Sequence, residues 1–286
     1  MRYAVYAPNF NDYGAPSRLV ELACAAEEAG WDGFFVWDHL AFEPDGRLPV
    51  ADATVVLAAV AQATTRLRFG AMITPVARRR PWKLFKELAT LDHLSAGRVT
   101  LGVGLGEPPE LEFAAFGEPA GGRERAARLD EGLAILDPLM RGEAVTHHGA
   151  CYDVETRLAP PTLQRPRVPV WVAATLPARA GVRRAARWDG IFPLQVPATL
   201  NSAVDTAIEW REWWLDADAL ARLTAELATL RGNLDGFDVV ASGHAEPPAT
   251  HAAMAAAGAT WWMEWMDTAP GSFADALAHV TCGPPR

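Results

Sequence analysis

An aspartate and a histidine, Asp38 and His39, are adjacent near the start of the sequence. Histidine has an unperturbed pKa of about 6.5, so this pair could take up or release a proton near neutral pH. By themselves, the two residues are more typical of a loop histidine beside a turn-forming aspartate. A second carboxylate, Glu107, directly follows the glycine-rich run 102–106. Glycines at the end of a strand let a flat ligand approach the backbone, and a carboxylate beside them could exchange a proton with that ligand.

A third segment, Ala173-Ala174-Thr175, consists of small residues that lead into a predicted helix. Free backbone N–H groups at a helix start are suited to a phosphate group. The alternative is an ordinary turn capped by Thr175. The three arginines at 78–80 are predicted to form a solvated face of a loop, from which one could supplement the positive charge near a ligand.

These segments lie in a chain that alternates short β-rich runs with longer helical runs. Eight β-rich runs are found: Tyr3–Ala7, Gly33–Val36, Leu67–Met72, Val99–Val103, Val170–Ala173, Gly190–Phe192, Phe237–Ala241 and Thr260–Met263. Each crossover returns the chain to the same edge of a parallel sheet, and eight such units close into a barrel. We therefore expect residues 1–286 to form a single (β/α)₈ barrel, the alternative being an open doubly wound sheet.

In such a barrel the chemistry lies where the strands end, and each candidate above follows a predicted strand. Two segments depart from the repeat. We expect residues 146–169 to form a hairpin with an extended loop, and residues 201–230 to form two helices between strands six and seven. The tryptophans Trp261 and Trp262 are predicted to point to opposite faces of the eighth strand, one into the barrel and one beneath a helix.

The composition narrows the class of protein. Half of the 286 residues are hydrophobic and the net charge is -9, which argues against a nucleic-acid surface. The chain begins without a signal-peptide pattern, and no run is apolar enough to predict a membrane span. Three well-separated cysteines indicate a reduced, cytoplasmic protein. The pair His147-His148 has no third ligand nearby in the sequence, so no metal site is predicted.

A set of motifs in this order resembles the luciferase-like monooxygenase superfamily. The motifs are Trp37-Asp38-His39-Leu40, Arg66-Leu67-Arg68-Phe69-Gly70 with Ile73-Thr74-Pro75 and Arg80-Pro81, residues 91–98 (LDHLSAGR), Leu101-Gly102-Val103-Gly104, Arg128-Leu129-Asp130-Glu131, Gln164-Arg165-Pro166 and Val170-Trp171-Val172-Ala173-Ala174. The resemblance covers residues 1–195 well. It implies a barrel enzyme that binds FMN or coenzyme F420 at the top of the barrel.

The resemblance also implies roles for individual residues. His39 would lie near the reactive C5 of a deazaflavin, Asp38 beside the hydroxyls of the cofactor, and Glu107 at an acid/base position. Ala71 and Met72 match a bulge with a non-prolyl cis peptide that supports the flavin ring. The positions that match contacts with the ring, the ribityl chain and the phosphate are Thr74, Leu105, Gly106, Ala173, Ala174 and Thr175.

Departures from the family pattern favour one branch and argue against one substrate. The Asp38-His39 pair and Leu105, which stands where luciferases place an arginine, favour F420 over FMN. No lysine for a substrate phosphate stands near Val196-Pro197, and the long insertion after strand seven is missing. A sugar-phosphate substrate is therefore not expected.

We expect hydride transfer between F420 and a small, partly apolar organic substrate. The aromatic side chains at the predicted mouth suggest the apolar part. One alternative is an FMNH₂- and O₂-dependent monooxygenase, and another is a non-catalytic flavin-binding barrel. The family resemblance also makes a homodimer possible.

Overall fold

The computed structural model describes residues 1–43, 45–196 and 210–285. Its strands are β1 (Arg2–Ala7), β2 (Gly33–Val36), β3 (Arg68–Ala71), β4 (Thr74–Pro75), β5 (Leu101–Gly104), β6 (Val145–His148), β7 (Asp153–Thr156), β8 (Val170–Leu176), β9 (Gly190–Gln195), β10 (Asp238–Gly243) and β11 (Trp261–Trp265). Its helices are α1 (Pro16–Glu28), α2 (Ala53–Ala63), α3 (Pro81–Leu94), α4 (Pro109–Glu112), α5 (Gly122–Arg141), α6 (Arg179–Ala185), α7 (Ala217–Arg231), α8 (Pro248–Ala256) and α9 (Phe273–Thr281).

The main sheet is parallel and has the hydrogen-bonded order β3-β2-β1-β11-β10-β9-β8-β5-β4. β3 pairs with β2, and β4 pairs with β5, so the two short strands together form one barrel strand. A further parallel bridge between Phe69 and Val99 joins β3 to the segment that leads into β5. The sheet thus closes on itself, which confirms the predicted barrel over the open doubly wound sheet.

Local sequence explains where several helices begin. Proline occupies the first turn of α1 and α3, where a missing N–H costs nothing. The side chain of Asp52 accepts a hydrogen bond from the backbone N–H of Val55 at 2.8 Å and so caps α2. Asp216 caps α7 in the same way through the N–H of Ala219. The helices α1, α2, α3 and α5 occupy predicted helical runs between the strands.

The two irregular segments agree with expectation where they are described. β6 and β7 form the predicted antiparallel hairpin. Of the two helices predicted over 201–230, α7 is present, whereas residues 201–209 lie outside the described residues. A short 3₁₀ turn at Trp210–Trp213 precedes α7. In the described part of the chain, no helix has the length and apolar character needed to cross a bilayer.

The side chains of the barrel sort into two hydrophobic layers. One lies between the sheet and the helices. The other fills the barrel and is largely aromatic: Tyr6, Phe10, Phe35, Trp37, Trp171, Phe192, Trp261 and Trp265. Trp261 lies inside the barrel, and the ring of Trp262 packs outside it at 4.3 Å from the ring of His251 on α8. The predicted division of these two tryptophans is confirmed.

Candidate active site

His39 lies three residues beyond the end of β2, at the carboxyl end of the barrel, which we call the mouth. Its ring is 5.3 Å from the ring of Phe42, 5.6 Å from that of Trp37 and 6.2 Å from that of Phe10. Only 17% of the side chain is exposed. The aromatic rings therefore keep water away from most of the imidazole.

A carboxylate that is remote in sequence holds this histidine. The Oε1 atom of Glu112, on α4, is 3.1 Å from Nδ1 of His39. The same oxygen accepts a hydrogen bond from the backbone N–H of Leu40 at 3.0 Å. Its other oxygen is ion-paired with the guanidinium of Arg78. Glu112 is buried, so one carboxylate joins a histidine, a backbone amide and an arginine out of contact with solvent.

The surroundings of His39 disfavour its charged form. Burial lowers the pKa of His39 to about 4, Asp38 opposes this shift, and Arg78 adds to it. The imidazole is therefore neutral at neutral pH. A neutral imidazole in an apolar setting can accept a proton during a reaction.

Asp38 is buried and both of its carboxylate oxygens are occupied. Arg78 donates to Oδ1 at 2.9 Å, and Arg79 donates to Oδ2 at 2.6 Å. Arg79 also lies 3.5 Å from Glu87 on α3. The prediction that residues 78–80 form a solvated face is wrong for Arg78 and Arg79, because the carboxylates draw both guanidiniums inward. Arg80 alone of the three is exposed.

The non-prolyl cis peptide joins Met72 and Ile73, one residue beyond the expected bond between Ala71 and Met72. β3 ends at Ala71, and the next two residues form the break before β4. The hydroxyl of Tyr6 donates to the carbonyl oxygen of Met72. A side chain at Gly102 would collide with the carbonyl of Ala71 and the sulfur of Met72, so glycine is needed beside the break.

Glu107 does not join the His39 cluster. Its side chain is 59% exposed and lies 3.2 Å from Arg125 of α5. Arg125 is buried, donates to the backbone carbonyls of Gly106 and Leu105, and stacks over the ring of Phe113 at 5.3 Å. Within the described residues, the carboxylate that contacts His39 is Glu112. Arg125 thus holds the loop on which Leu105, Gly106 and Glu107 lie.

The small residues of the fifth barrel strand have a different local structure from the one expected. β8 continues to Leu176, and α6 begins only at Arg179, with no side-chain cap. Thr175 is therefore an exposed strand residue and not a helix cap, because Pro177 and Ala178 lie between the strand and the helix. Ala174 is buried against α6, where a side chain on Gly181 would come within 2.9 Å of it.

Two of the expected contacts, Thr74 and Ala173, lie together with two residues that were not expected to contact the cofactor. A Cβ atom on Gly104 would lie 2.8 Å from Ile73 and 3.4 Å from the methyl group of Ala173. The shared surface that we call the ledge is therefore formed by Ile73 in the break before β4, Gly104 at the end of β5 and Ala173 within β8. Thr74 lies next to the ledge and is buried.

Two important residues of the site, Glu112 and Arg125, were not predicted from the sequence. Glu112 belongs to the segment Pro-Glu-Leu-Glu, in which the other glutamate, Glu110, is exposed. Nothing in the local pattern separates these glutamates, and only the turn of α4 decides which one is buried.

Comparisons with known proteins bear on the family and the fold of this chain. A family model described as luciferase-like monooxygenase matches residues 1–219. Over 172 residues the chain is 39% identical to an F420-dependent glucose-6-phosphate dehydrogenase of Beutenbergia cavernae, covering 57% of this chain and 48% of that protein. This chain therefore spans about half the length of that relative.

A second relative extends the match towards the C-terminus. An uncharacterised protein of Mycobacterium tuberculosis is 30% identical over 259 residues, which are 84% of this chain and 80% of that protein. The crystal structure of the monooxygenase RslO1 from Streptomyces bottropensis superposes with a TM-score of 0.74 at 20% identity, covering 98% of this chain and 96% of that one. This chain belongs to the luciferase-like monooxygenase family.

Proposed function

We propose that this chain is an F420-dependent oxidoreductase that transfers a hydride to or from a small, uncharged, partly apolar organic molecule. The observation that carries the proposal is a neutral, buried histidine, His39, held by Glu112 at the barrel mouth. The similarity to the F420-dependent dehydrogenase supports the choice of cofactor.

The ledge fits the flat ring of such a cofactor. Gly104 has no side chain, Ala173 presents only a methyl group, and Ile73 is partly exposed beside them. A planar ring can approach such a surface closely, as glycine at a strand end allows. When bound, F420 would supply the hydride-transfer chemistry.

The protein would supply position and proton transfer. The ring would lie against Ile73, Gly104 and Ala173, with Thr74, Leu105, Gly106 and the backbone at Ala71–Met72 close by. Ala174 and Thr175 lie at the mouth end of β8, where we place the phosphate end. Asp38, through its two arginines, would hold the loop that carries His39. His39 would accept or return the proton, and Glu107 would serve as the second acid/base group.

The positively charged side chains near the mouth argue against a phosphorylated substrate. The only lysines of the sequence, Lys83 and Lys86, both lie on α3. Arg78, Arg79 and Arg125 are already paired with carboxylates. Residues 197–209 contain neither lysine nor arginine.

The aromatic side chains at the mouth support an apolar substrate. Phe10 and Phe42 stack with their centroids 3.8 Å apart, and Trp37 and Trp265 lie beside them in contact with one another. Phe42 is partly exposed and the other three rings are buried, so this part of the barrel is apolar and uncharged. The substrate class that fits this surface is a neutral alicyclic or aromatic alcohol or carbonyl compound.

The test is a pair of titrations of the purified protein, one with F420 and one with FMN, in matched oxidation states. We expect tighter F420 binding, followed by absorbance changes of the bound cofactor when neutral alcohols or ketones are added. Tight binding of reduced FMN with oxygen consumption would instead establish the monooxygenase alternative. Binding of either cofactor with no turnover of any substrate would establish a non-catalytic flavin-binding barrel.

We also propose that the chain forms a homodimer through α2. The outer face of α2 is exposed to solvent: Val55 is 69% exposed, and Ala59 is exposed one turn later. Even so, α2 contains no charged residue. An uncharged outer face is typical of a helix that packs against a partner. Val55→Asp should shift the mass of the protein in solution from dimer to monomer, whereas Leu230→Asp on α7 should not. A monomeric wild-type protein would refute the proposal.

The cytoplasmic location is also part of the proposal. Cys24, Cys151 and Cys282 are all free thiols in the structure. Free thiols are typical of proteins that remain in a reducing compartment. Fractionation of the native cells, with the protein followed by antibody, would test this location.

A further inference from the structure

We infer that Glu112 is a positioning residue that places the proton of neutral His39 on Nδ1 and leaves Nε2 as the proton-accepting nitrogen. The assignment follows from the contacts of Glu112 alone. Its catalytic meaning rests on the proposed function. Neither the sequence pattern nor the family resemblance indicated that this glutamate has a role.

The first step is the charge state of Glu112. A buried carboxylate persists as an anion only where it is paired and hydrogen-bonded. Glu112 is paired with Arg78 and accepts a hydrogen bond from the N–H of Leu40. Both contacts favour the ionised form, so Glu112 is a carboxylate.

The second step concerns the imidazole. An ionised carboxylate can only accept hydrogen bonds, so at 3.1 Å from its Oε1 atom Nδ1 of His39 must be the donor. A neutral imidazole carries one N–H, and Nε2 is then left with its lone pair. In water, neutral histidine prefers the opposite tautomer, with the proton on Nε2. Glu112 therefore reverses the ordinary preference.

The third step concerns the neighbours that act on the ring. Asp38 favours the imidazolium form of His39, whereas Arg78 and burial disfavour it. Arg79 contacts Asp38 and Glu87. Arg78 contacts both carboxylates and Arg79 contacts Asp38, so two guanidiniums balance the charges of the two anions nearest the ring. The ring thus keeps a single proton, and Glu112 decides its place.

Glu112 also joins three separate loops. It lies in the β5–α5 connection, its hydrogen-bond partners His39 and Leu40 follow β2, and Arg78 follows β4. Movement of any one loop would therefore change the tautomer and the orientation of the ring together. This is the arrangement expected of an outer residue that orients a reacting one.

The test is ¹⁵N NMR of the histidine ring nitrogens at neutral pH, with His39 assigned by comparison with a His39→Gln variant. In the wild-type protein we expect protonated Nδ1 and unprotonated Nε2. Glu112→Ala should restore the ordinary Nε2–H form. Glu112→Gln should keep the wild-type tautomer, because its amide oxygen can still accept from Nδ1. Glu110→Gln, a change in the same helix at an exposed position, should have no effect.

If His39 of the wild-type protein carried its proton on Nε2, the inference would be overturned, even if Glu112→Ala did not fold. Retention of the Nδ1–H form in a folded Glu112→Ala variant would also overturn it. With F420 and a substrate, kcat should fall about 10–100-fold in Glu112→Ala, with recovery in Glu112→Gln and little change in KM. If F420 turnover is absent altogether, the proposed function fails while the tautomer result still stands.

Discussion

Glu112 and Glu264 are both buried glutamates that contact a histidine, yet they lie in different regions and their histidines differ. Glu112 faces His39 at the barrel mouth, where Arg78 compensates its charge. Glu264, on β11, points outward to the helices, where Nε2 of His279 on α9 lies 3.2 Å from it. Its other partners are the indole N–H of Trp262 at 2.7 Å and the backbone N–H of Ala245 at 2.5 Å.

The pKa shifts of the two histidines have opposite directions. The hydrogen bond to Glu264 raises the pKa of His279, and burial only partly opposes it. Burial raises the pKa of Glu264, but the hydrogen bonds from His279, Ala245 and Trp262 together lower it by more. The net shift of the pKa is therefore downward. At His39, burial dominates and the pKa is lowered to about 4.

The difference between the two clusters shows that the state of the histidine depends on which group compensates the charge of the buried carboxylate. Where an arginine does so, the adjacent histidine can remain neutral and accept a proton. Among the described residues, the basic side chains within 4 Å of Glu264 are two histidines, His279 at 3.2 Å and His244 at 3.9 Å, and neither an arginine nor a lysine. We therefore interpret the first cluster as catalytic and the second as a structural contact between α9 and the barrel.

The largest change is expected in kcat, and it should distinguish His39 from His279. His39→Ala should lower kcat by about 10²–10⁴-fold, because a positioned proton acceptor is lost. His279→Ala should change kcat by less than about threefold, because it lies outside the barrel. Steady-state kinetics with F420 and a neutral alcohol would measure both. Equal losses in the two variants would contradict the division between a catalytic and a structural cluster.

The second effect is the pH dependence of stability, which should have opposite signs in the two regions. The pKa of His39 is lower in the folded state, at about 4 against 6.5 unfolded. Its contribution is therefore present above pH 6.5 and is lost as the pH falls towards 4, by up to about 3 kcal/mol. The raised pKa of His279 means that its contribution is present below pH 6.5 and is lost as the pH rises through its folded pKa.

Urea unfolding between pH 4 and pH 9 would measure these contributions. His39→Gln should flatten the acid side of the curve, and His279→Gln should flatten the alkaline side. If His39→Gln flattened the alkaline side instead, His39 would be an imidazolium in the folded protein, and the contrast between the regions would disappear.

The smallest effect concerns Glu264. Glu264→Gln should lower the free energy of unfolding by about 1–3 kcal/mol, because buried donors lose a charged acceptor. The kcat of the folded variant should remain near the wild-type value. Asp275→Asn, an exposed change on α9, is the matched control and should alter stability by less than about 0.5 kcal/mol. A Glu264→Gln variant of normal stability and low activity would move this cluster into the catalytic machinery.

The architecture of this protein could be predicted from its sequence. Eight alternations of strand and helix predicted the barrel, and the period of two on β11 predicted that Trp261 and Trp262 face opposite sides of the strand; the structure then showed that Trp261 is the one inside the barrel. Both features depend on local hydrophobic patterning, which is written along the chain. The same patterning put Asp38, His39 and Glu107 at strand ends, and so at the mouth.

The partners of those residues, by contrast, depend on contacts between distant loops of the fold. Glu112 is 73 positions from His39, and no local pattern distinguishes it from Glu110. Two of the three arginines predicted to face solvent, Arg78 and Arg79, point inward, because Asp38 and Glu112 meet them from other loops. The position of the cis peptide and the start of α6 were likewise displaced from expectation. Pairing of buried charges depends on which loops meet in space, and sequence spacing carries no record of that distance.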